Sequence, residues 1–178
     1  MKILTFAAST SSTSINKQLV SHAGRLATEA LAASTVEHVD LNDYQAPIYS
    51  SDVEEADGIP EAATRLFAKI GEADALIISF AEHNGTYTAA FKNIFDWMSR
   101  IDVKVFQGKR AIYLATSPGP GGAARVLESA ITSAPHFGAE VTASLSVPRF
   151  YENFDPAAGQ LSDDSLQDQL ATAVQALS

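Results

Sequence analysis

Ser79-Phe80-Ala81-Glu82-His83-Asn84-Gly85-Thr86-Tyr87, followed three residues later by Phe91-Lys92-Asn93-Ile94-Phe95-Asp96-Trp97, is the stretch that decides the fold. The apolar run Ala75 to Phe80 stops abruptly at a polar loop containing glycine, and that loop opens a helix. A buried strand ending in such a loop is where open α/β sheets bind ligands. Two other runs end the same way. Lys2 to Ala8 runs into Ser9-Thr10-Ser11-Ser12-Thr13-Ser14-Ile15-Asn16, and Ala111 to Thr116 runs into Ser117-Pro118-Gly119-Pro120-Gly121-Gly122. In a parallel sheet, three such loops meet at one edge.

Outward from these loops, apolar runs alternate with amphipathic helices. After the first strand, Ile15, Leu19, Ala23, Leu26, Ala27 and Ala30 fall near the 3.6-residue period of a helix. Val36–Leu41 reads as a short strand and Asn42 to Gly58 as a loop, in which Asp52, Glu54, Glu55 and Asp57 form a solvated face. Pro60 starts a second helix, facing inward with Ala63, Leu66, Phe67 and Ile70, and Gly71 suits its C-cap. Thr88 to Met98 is the third helix, Gly122 to Phe137 the fourth, ended by Gly138, and Asp163–Leu177 the last. Val141–Val147 is the fifth strand. Strands alternating with helices imply a parallel sheet with right-handed crossovers. The expected fold is therefore a single α/β domain over residues 1–178. It is a flavodoxin-like three-layer sandwich, a five-stranded parallel sheet of order 2-1-3-4-5 with helices on both faces.

Bulk properties remove several function classes. The 178 residues suit one domain with a full core, and 46% hydrophobic with 19% charged residues is an ordinary globular balance. A net charge of −9 with no basic stripe argues against nucleic-acid binding. Absence of cysteine removes disulfides, thiolate nucleophiles and zinc-thiolate sites. No apolar stretch approaches the roughly 20 residues that span a bilayer, and the first run is too short for a signal peptide. A cytoplasmic protein without membrane contact is expected. No acid pair ends the first strand, as a receiver domain needs. No Gly-x-Ser-x-Gly elbow marks a serine hydrolase.

The loops carry recognisable chemistry. Ser9 to Asn16 offers hydroxyls and backbone N–H groups at a helix start, a phosphate site on physical grounds, although a single helix cap would use some of them. No Gly-Lys-Ser/Thr follows, so it is not a P-loop. Asn84-Gly85 is by itself a plain turn, yet beside a phosphate loop its backbone can approach a flat heteroaromatic ring. The glycines of Ser117 to Gly122 leave similar room. His83, a lone loop histidine, is expected to pack or hydrogen-bond, and Trp97 to cover core or a subunit contact.

These motifs resemble those of the NAD(P)H-dependent FMN reductase family, the flavodoxin-like group that includes quinone, azo-dye and chromate reductases. The family's Gly-Ser-Leu-Arg-x-x-Ser-x-Asn is matched by Ala8 to Asn16. Its Pro-Glu-Tyr-Asn-Gly-Ser and Leu-Lys-Asn-Ala-Ile-Asp-Trp are matched by Ala81 to Thr86 and Phe91 to Trp97. Its third, glycine-rich loop is matched by Ser117 to Gly122. The resemblance implies FMN with its phosphate on Ser9, Ser11, Ser14, Ile15 and Asn16, and its ring beside Glu82, His83, Asn84, Gly85, Ser117, Gly121 and Gly122. It implies hydride from NAD(P)H, reduction of a flavin, quinone or similar small-molecule electron acceptor, and no catalytic side chain, because the cofactor carries the reaction. It also implies a homodimer or homotetramer, for which the aromatic Phe91–Phe106 region offers a face. Ser11 replaces the family's arginine, His83 its tyrosine, and Ala81 and Thr88 its prolines, which bears on FMN affinity and acceptor choice. An FMN electron carrier that uses no nicotinamide, and a non-enzymatic binding protein with a decayed flavin site, are the alternatives. For the 2′-phosphate of NADPH, Arg100, Lys104, Arg110 and Arg125 are not ranked by sequence.

Overall fold

A computed structural model describes residues 1–178. Strand β1 (Lys2–Ala8) leads through α1 (Ile15–Ala30) to β2 (Thr35–Val39). A 3-10 turn over Leu41–Tyr44, then α2 (Ser51–Asp57) and α3 (Glu61–Glu72), lead to β3 (Ala75–Phe80). The two-residue strands β4 (Glu82–His83) and β5 (Thr86–Tyr87) precede α4 (Ala89–Ile101), β6 (Lys109–Thr116), α5 (Ala124–Ser133) and β7 (Ala139–Val147). Short α6 (Phe150–Asn153), β8 (Phe154–Asp155) and β9 (Gln160–Leu161) connect to α7 (Asp164–Gln175). The five long strands form one parallel sheet in the order β2-β1-β3-β6-β7, the expected 2-1-3-4-5 arrangement.

Alternation along the central strands divides the core. Leu4, Phe6, Leu76, Ile78, Phe80 and Tyr113 face α3, α4 and α5, whereas Ile3, Ala7, Ile77, Ile112 and Leu114 face α1 and α7. Every residue of β3 is buried, as a strand covered on both faces requires. Phe80 stands at the centre of an aromatic cluster, 5.0 Å from Tyr113, 5.6 Å from Phe91 and 5.7 Å from Tyr87 between ring centroids. The Tyr113 hydroxyl at its base meets no protein partner, and burial pushes its acidity far out of range.

Several local expectations are corrected. The acids of Asp52–Asp57 lie on a helix and not in a loop, because Ser50 caps α2 through the Val53 amide at 3.2 Å. No residue of α2 is buried; Glu54 holds it through Tyr49 and Arg100. Gly71 lies within α3 and does not cap it; its bare Cα admits the Gln107 amide, which an added Cβ would meet at 2.7 Å. The fourth helix ends at Ser133. Phe91, Phe95, Trp97 and Phe106 are all core, so the Phe91–Phe106 region presents no aromatic face for a second subunit. Trp97 gives its indole N–H to the Pro47 carbonyl at 2.7 Å. The segment from Phe150 to Leu161, unread in the sequence, packs Phe150, Phe154 and Leu161 into the core beneath α1 and α7.

His22 joins α1 to α7. It is 3% exposed, lies 2.7 Å through Nε2 from Gln167 Oε1 and takes a hydrogen bond on Nδ1 from Arg25 at 3.3 Å. The Arg25 donor assigns the proton to Nε2. Burial above all, then the Arg25 charge, holds its pKa below the usual 6.5, against the opposing effects of Gln167 and Glu29. The unfolded chain therefore takes up this proton first as pH falls. The stabilisation is complete above the unfolded value and declines as pH drops from there through the folded one. The melting temperature is expected to fall between about pH 7.5 and about pH 5, and less steeply in His22→Gln; equal slopes by calorimetry would remove His22 as the cause.

Candidate functional site

Sheet register brings the three loops together. Ala8 stands opposite Phe80, Phe80 opposite Ala115, and Thr116 opposite Val147. With strands about 4.8 Å apart, the loops leaving β1, β3 and β6 open within about 10 Å of one another. They lie at the carboxyl edge, where the chain leaves β1 and β3 for helices on opposite faces.

Asn16 locks this edge. It is 3% exposed, and its side chain turns inward from the first turn of α1. Its Oδ1 accepts from Ser79 Oγ at 2.7 Å and from the Thr116 amide at 3.1 Å, while Nδ2 donates to the Thr116 carbonyl at 3.2 Å. One amide thus joins the ends of β3 and β6 to the loop after β1. Thr88 adds a second tie: buried, it caps α4 through the Phe91 amide and donates to the Ala8 carbonyl at 2.9 Å.

The first loop is held by its own hydroxyls. Ser9 Oγ accepts from the Ser11 amide, Ser11 Oγ from Thr13, and Ser14 Oγ caps α1 through Lys17. The amides of Thr10, Ser12, Ile15 and Asn16 have no protein acceptor. No acidic side chain interrupts the loop. Four unpaired amides with several hydroxyls at the start of a sixteen-residue helix are a donor set that suits a phosphate. Asn16 contributes its amide alone, since its side chain is committed to the strands. The side chain of Ile15 packs on the core.

In the second loop, β4 and β5 form a two-residue hairpin. Asn84 at φ 53° and Gly85 at φ 81° supply the two left-handed positions that such a turn requires. Their amides meet no acceptor. Glu82, two residues past the end of β3, accepts from the Val126 amide at 3.0 Å, capping α5, whose own N-cap Ala123 has no side-chain acceptor. That bond fixes the second loop to the third. His83 pairs with Thr86 through the backbone, but its side chain is exposed and makes no hydrogen bond, so it neither packs nor bonds as a lone loop histidine was expected to. Arg125, on α5, extends beside Gly85.

In the third loop, Gly122 is required. At φ 57° an added Cβ would lie 2.3 Å from Ser146 Oγ, which donates to the Gly122 carbonyl. Gly119 and Gly121 instead border open space, and their amides are unpaired. Carbonyls of Ser117 and Gly119 accept from Phe150 and Arg149, tying the loop to the chain after β7. The three loops together offer unpaired backbone donors on a wall whose one carboxylate is already occupied. Donors of this kind suit a phosphate or the carbonyl oxygens of a flat ring.

The three loops meet at one edge as the sequence implies, but what fixes them there is not read from it. Ser79, Thr116 and Thr88 are buried ties, and Glu82 spans 44 positions to its partner. Pairing across such distances leaves no periodic signal.

The family model described as NADPH-dependent FMN reductase matches residues 1–151. A quinone reductase of Escherichia coli strain K12 is 27% identical over 134 residues, which is 70% of this chain and 67% of that protein. A probable NADPH:quinone oxidoreductase 2 of Oryza sativa is 29% identical over 61% of this chain and 52% of its own. Among solved structures, the FerB flavoenzyme NAD(P)H:(acceptor) oxidoreductase of Paracoccus denitrificans superposes with TM-score 0.73 at 26% identity, over 99% of this chain and 96% of that one. The FMN-dependent NADH-azoreductase of Bacillus anthracis in complex with FMN shares the fold, with TM-score 0.71 at 14% identity over 99% and 98%.

Asn16→Ala removes three buried hydrogen bonds and strands Ser79 and Thr116, so it is expected to cost about 3 kcal/mol or more. Asn16→Asp keeps the acceptor bonds but sets a buried carboxylate oxygen against the Thr116 carbonyl, so it is expected to be destabilised as well. Urea denaturation of both variants distinguishes a structural tie from a residue that only touches ligand.

Proposed function

The chain belongs to the NADPH-dependent FMN reductase family, and from that premise we propose how its own residues serve an FMN-dependent oxidoreductase that takes hydride from NAD(P)H and passes it to a quinone, a flavin or a similar small acceptor. The observation that carries the proposal is the set of unpaired amides on three loops at one sheet edge.

FMN, when bound, supplies the two-electron relay between nicotinamide and acceptor. The first loop holds the phosphate through the amides of Thr10, Ser12, Ile15 and Asn16 and the hydroxyls of Ser9, Ser11 and Ser14. With Ser11 where the family has arginine, the cradle relies on neutral donors and the α1 dipole. Amides of Asn84, Gly85, Gly119 and Gly121 lie at the ring end, where preorganised donors stabilise negative charge on carbonyl oxygens. Glu82 serves by fixing the second loop against α5. Ser117 and Gly122 serve by shaping the third loop. His83 stands at the mouth, free to meet the acceptor.

We extend the reading to a homodimer or homotetramer in the cytoplasm. Ile48, 85% exposed although its neighbours Pro47 and Tyr49 are bonded to α4, and Tyr151, 72% exposed, are apolar surface suited to a second copy. No helix is long and apolar enough to cross a membrane.

The deciding test is the visible spectrum of the protein after incubation with FMN and desalting, repeated after anaerobic addition of NADPH. A retained flavin band that bleaches is expected. A retained band untouched by NADPH and NADH would overturn the reductase reading in favour of an electron carrier. Failure to retain or titrate FMN would overturn the site.

A further inference from the structure

We propose that Arg125 anchors the diphosphate of the nicotinamide dinucleotide and so sets how tightly the hydride donor is held. The proposal rests on the reductase reading above and assigns a donor contact that the loop amides do not account for.

Of the twelve lysines and arginines, Arg125 alone makes neither an ion pair nor a hydrogen bond. The others are tied to carboxylates or to backbone carbonyls. In a chain of net charge −9 with 21 acidic residues, a cation left without a partner stands out. Glu82 is the near carboxylate on the two loops, and it is turned to the Val126 amide. Glu128, one turn further along α5, is not within ion-pair distance.

Its place gives the unpaired charge a purpose. A Cβ built on Gly85 would lie 3.7 Å from both Cδ and Nη1 of Arg125. The guanidinium stem therefore runs over the hairpin tip, between the two loops that face the ring. A nicotinamide donating hydride must lie against that ring. Its diphosphate follows after one ribose, whereas the 2′-phosphate of NADPH sits at the far, adenosine end. A cation beside the ring loops is thus placed for the diphosphate, common to NADH and NADPH. Arginine suits this role because its planar fork meets two phosphate oxygens at once. The overall negative charge repels a dinucleotide, so a local cation is needed to hold one. Gly85 itself answers to its backbone, at φ 81°, and an added Cβ would only touch the stem at ordinary contact distance.

The test compares wild type, Arg125→Ala and Arg125→Lys, each loaded with FMN, with three hydride donors: NADH, NADPH and N-benzyl-1,4-dihydronicotinamide, which carries no phosphate. Binding of the redox-inert NADP⁺ and NAD⁺ is measured alongside by calorimetry. Loss of a charge-assisted bidentate contact is expected to weaken both dinucleotides roughly 10- to 100-fold in Arg125→Ala. Arg125→Lys should lie between, kcat/KM for NADH and NADPH should fall in step, and the benzyl donor should show no such loss. An equal loss with the benzyl donor, or weaker FMN retention, would make Arg125 a support of flavin or fold and overturn the assignment. A loss confined to NADPH would move the contact to the 2′-phosphate and overturn it too. A changed sedimentation coefficient in Arg125→Ala would make it an interface residue and likewise overturn it. A wild-type flavin that no donor bleaches would overturn the reductase reading itself, and this assignment with it.

Discussion

One buried carboxamide organises the business edge of this molecule. Asn16 spends both ends of its side chain on the carboxyl termini of β3 and β6, 63 and 100 residues away in sequence. Inside a dry core such bonds are costly to leave unmade, so the three loops have little freedom to drift apart. The amides they leave unpaired are fixed in place before any ligand arrives. Preorganisation of this kind reduces the entropy that binding must overcome, which suits the proposed site, made mostly of backbone and with no charge on its first loop.

The fold was largely legible because its signals are local. Continuous apolar runs at Ala75–Phe80 and Ala111–Thr116 announce strands covered on both faces, and helical periodicity between them implies crossovers. What escaped was whatever depends on partners distant in sequence or on surroundings that only folding creates. Asp52–Asp57 reads as a polar loop because α2 sets only half-buried Val53 against the core and has no apolar stripe to betray it. The Phe91–Phe106 aromatics read equally well as core or as interface, since hydrophobicity alone does not say which surface they cover. At the site, the loops were visible but their wiring was not. Asn16 and Glu82 look like ligand contacts in the sequence, and in the structure their side chains hold the scaffold.

The distribution of charge complements that wiring. An acidic chain has reason to keep carboxylates away from the proposed phosphate seat, and the first and third loops contain none. The second has one, and it is drawn aside to the α5 amide. The cations elsewhere are absorbed by surface pairs and helix ends, which contribute little individually to stability. The edge is consequently a local exception to the surface around it, built by subtraction of negative charge more than by addition of positive.

The helix α2 has a consequence of a different kind. Without a fully buried residue of its own, it depends on half-buried Val53 against the core and on Glu54 with its partners at Tyr49 and Arg100. Elements held by so few contacts open independently of the main core, and their amides exchange with solvent well before those of β1 or β3. The stretch from Ser51 to Asp57 is thus a separable unit of low local stability. Evolution or engineering can lengthen, shorten or rewrite it to alter the rim of the molecule while the sheet and its three loops remain undisturbed.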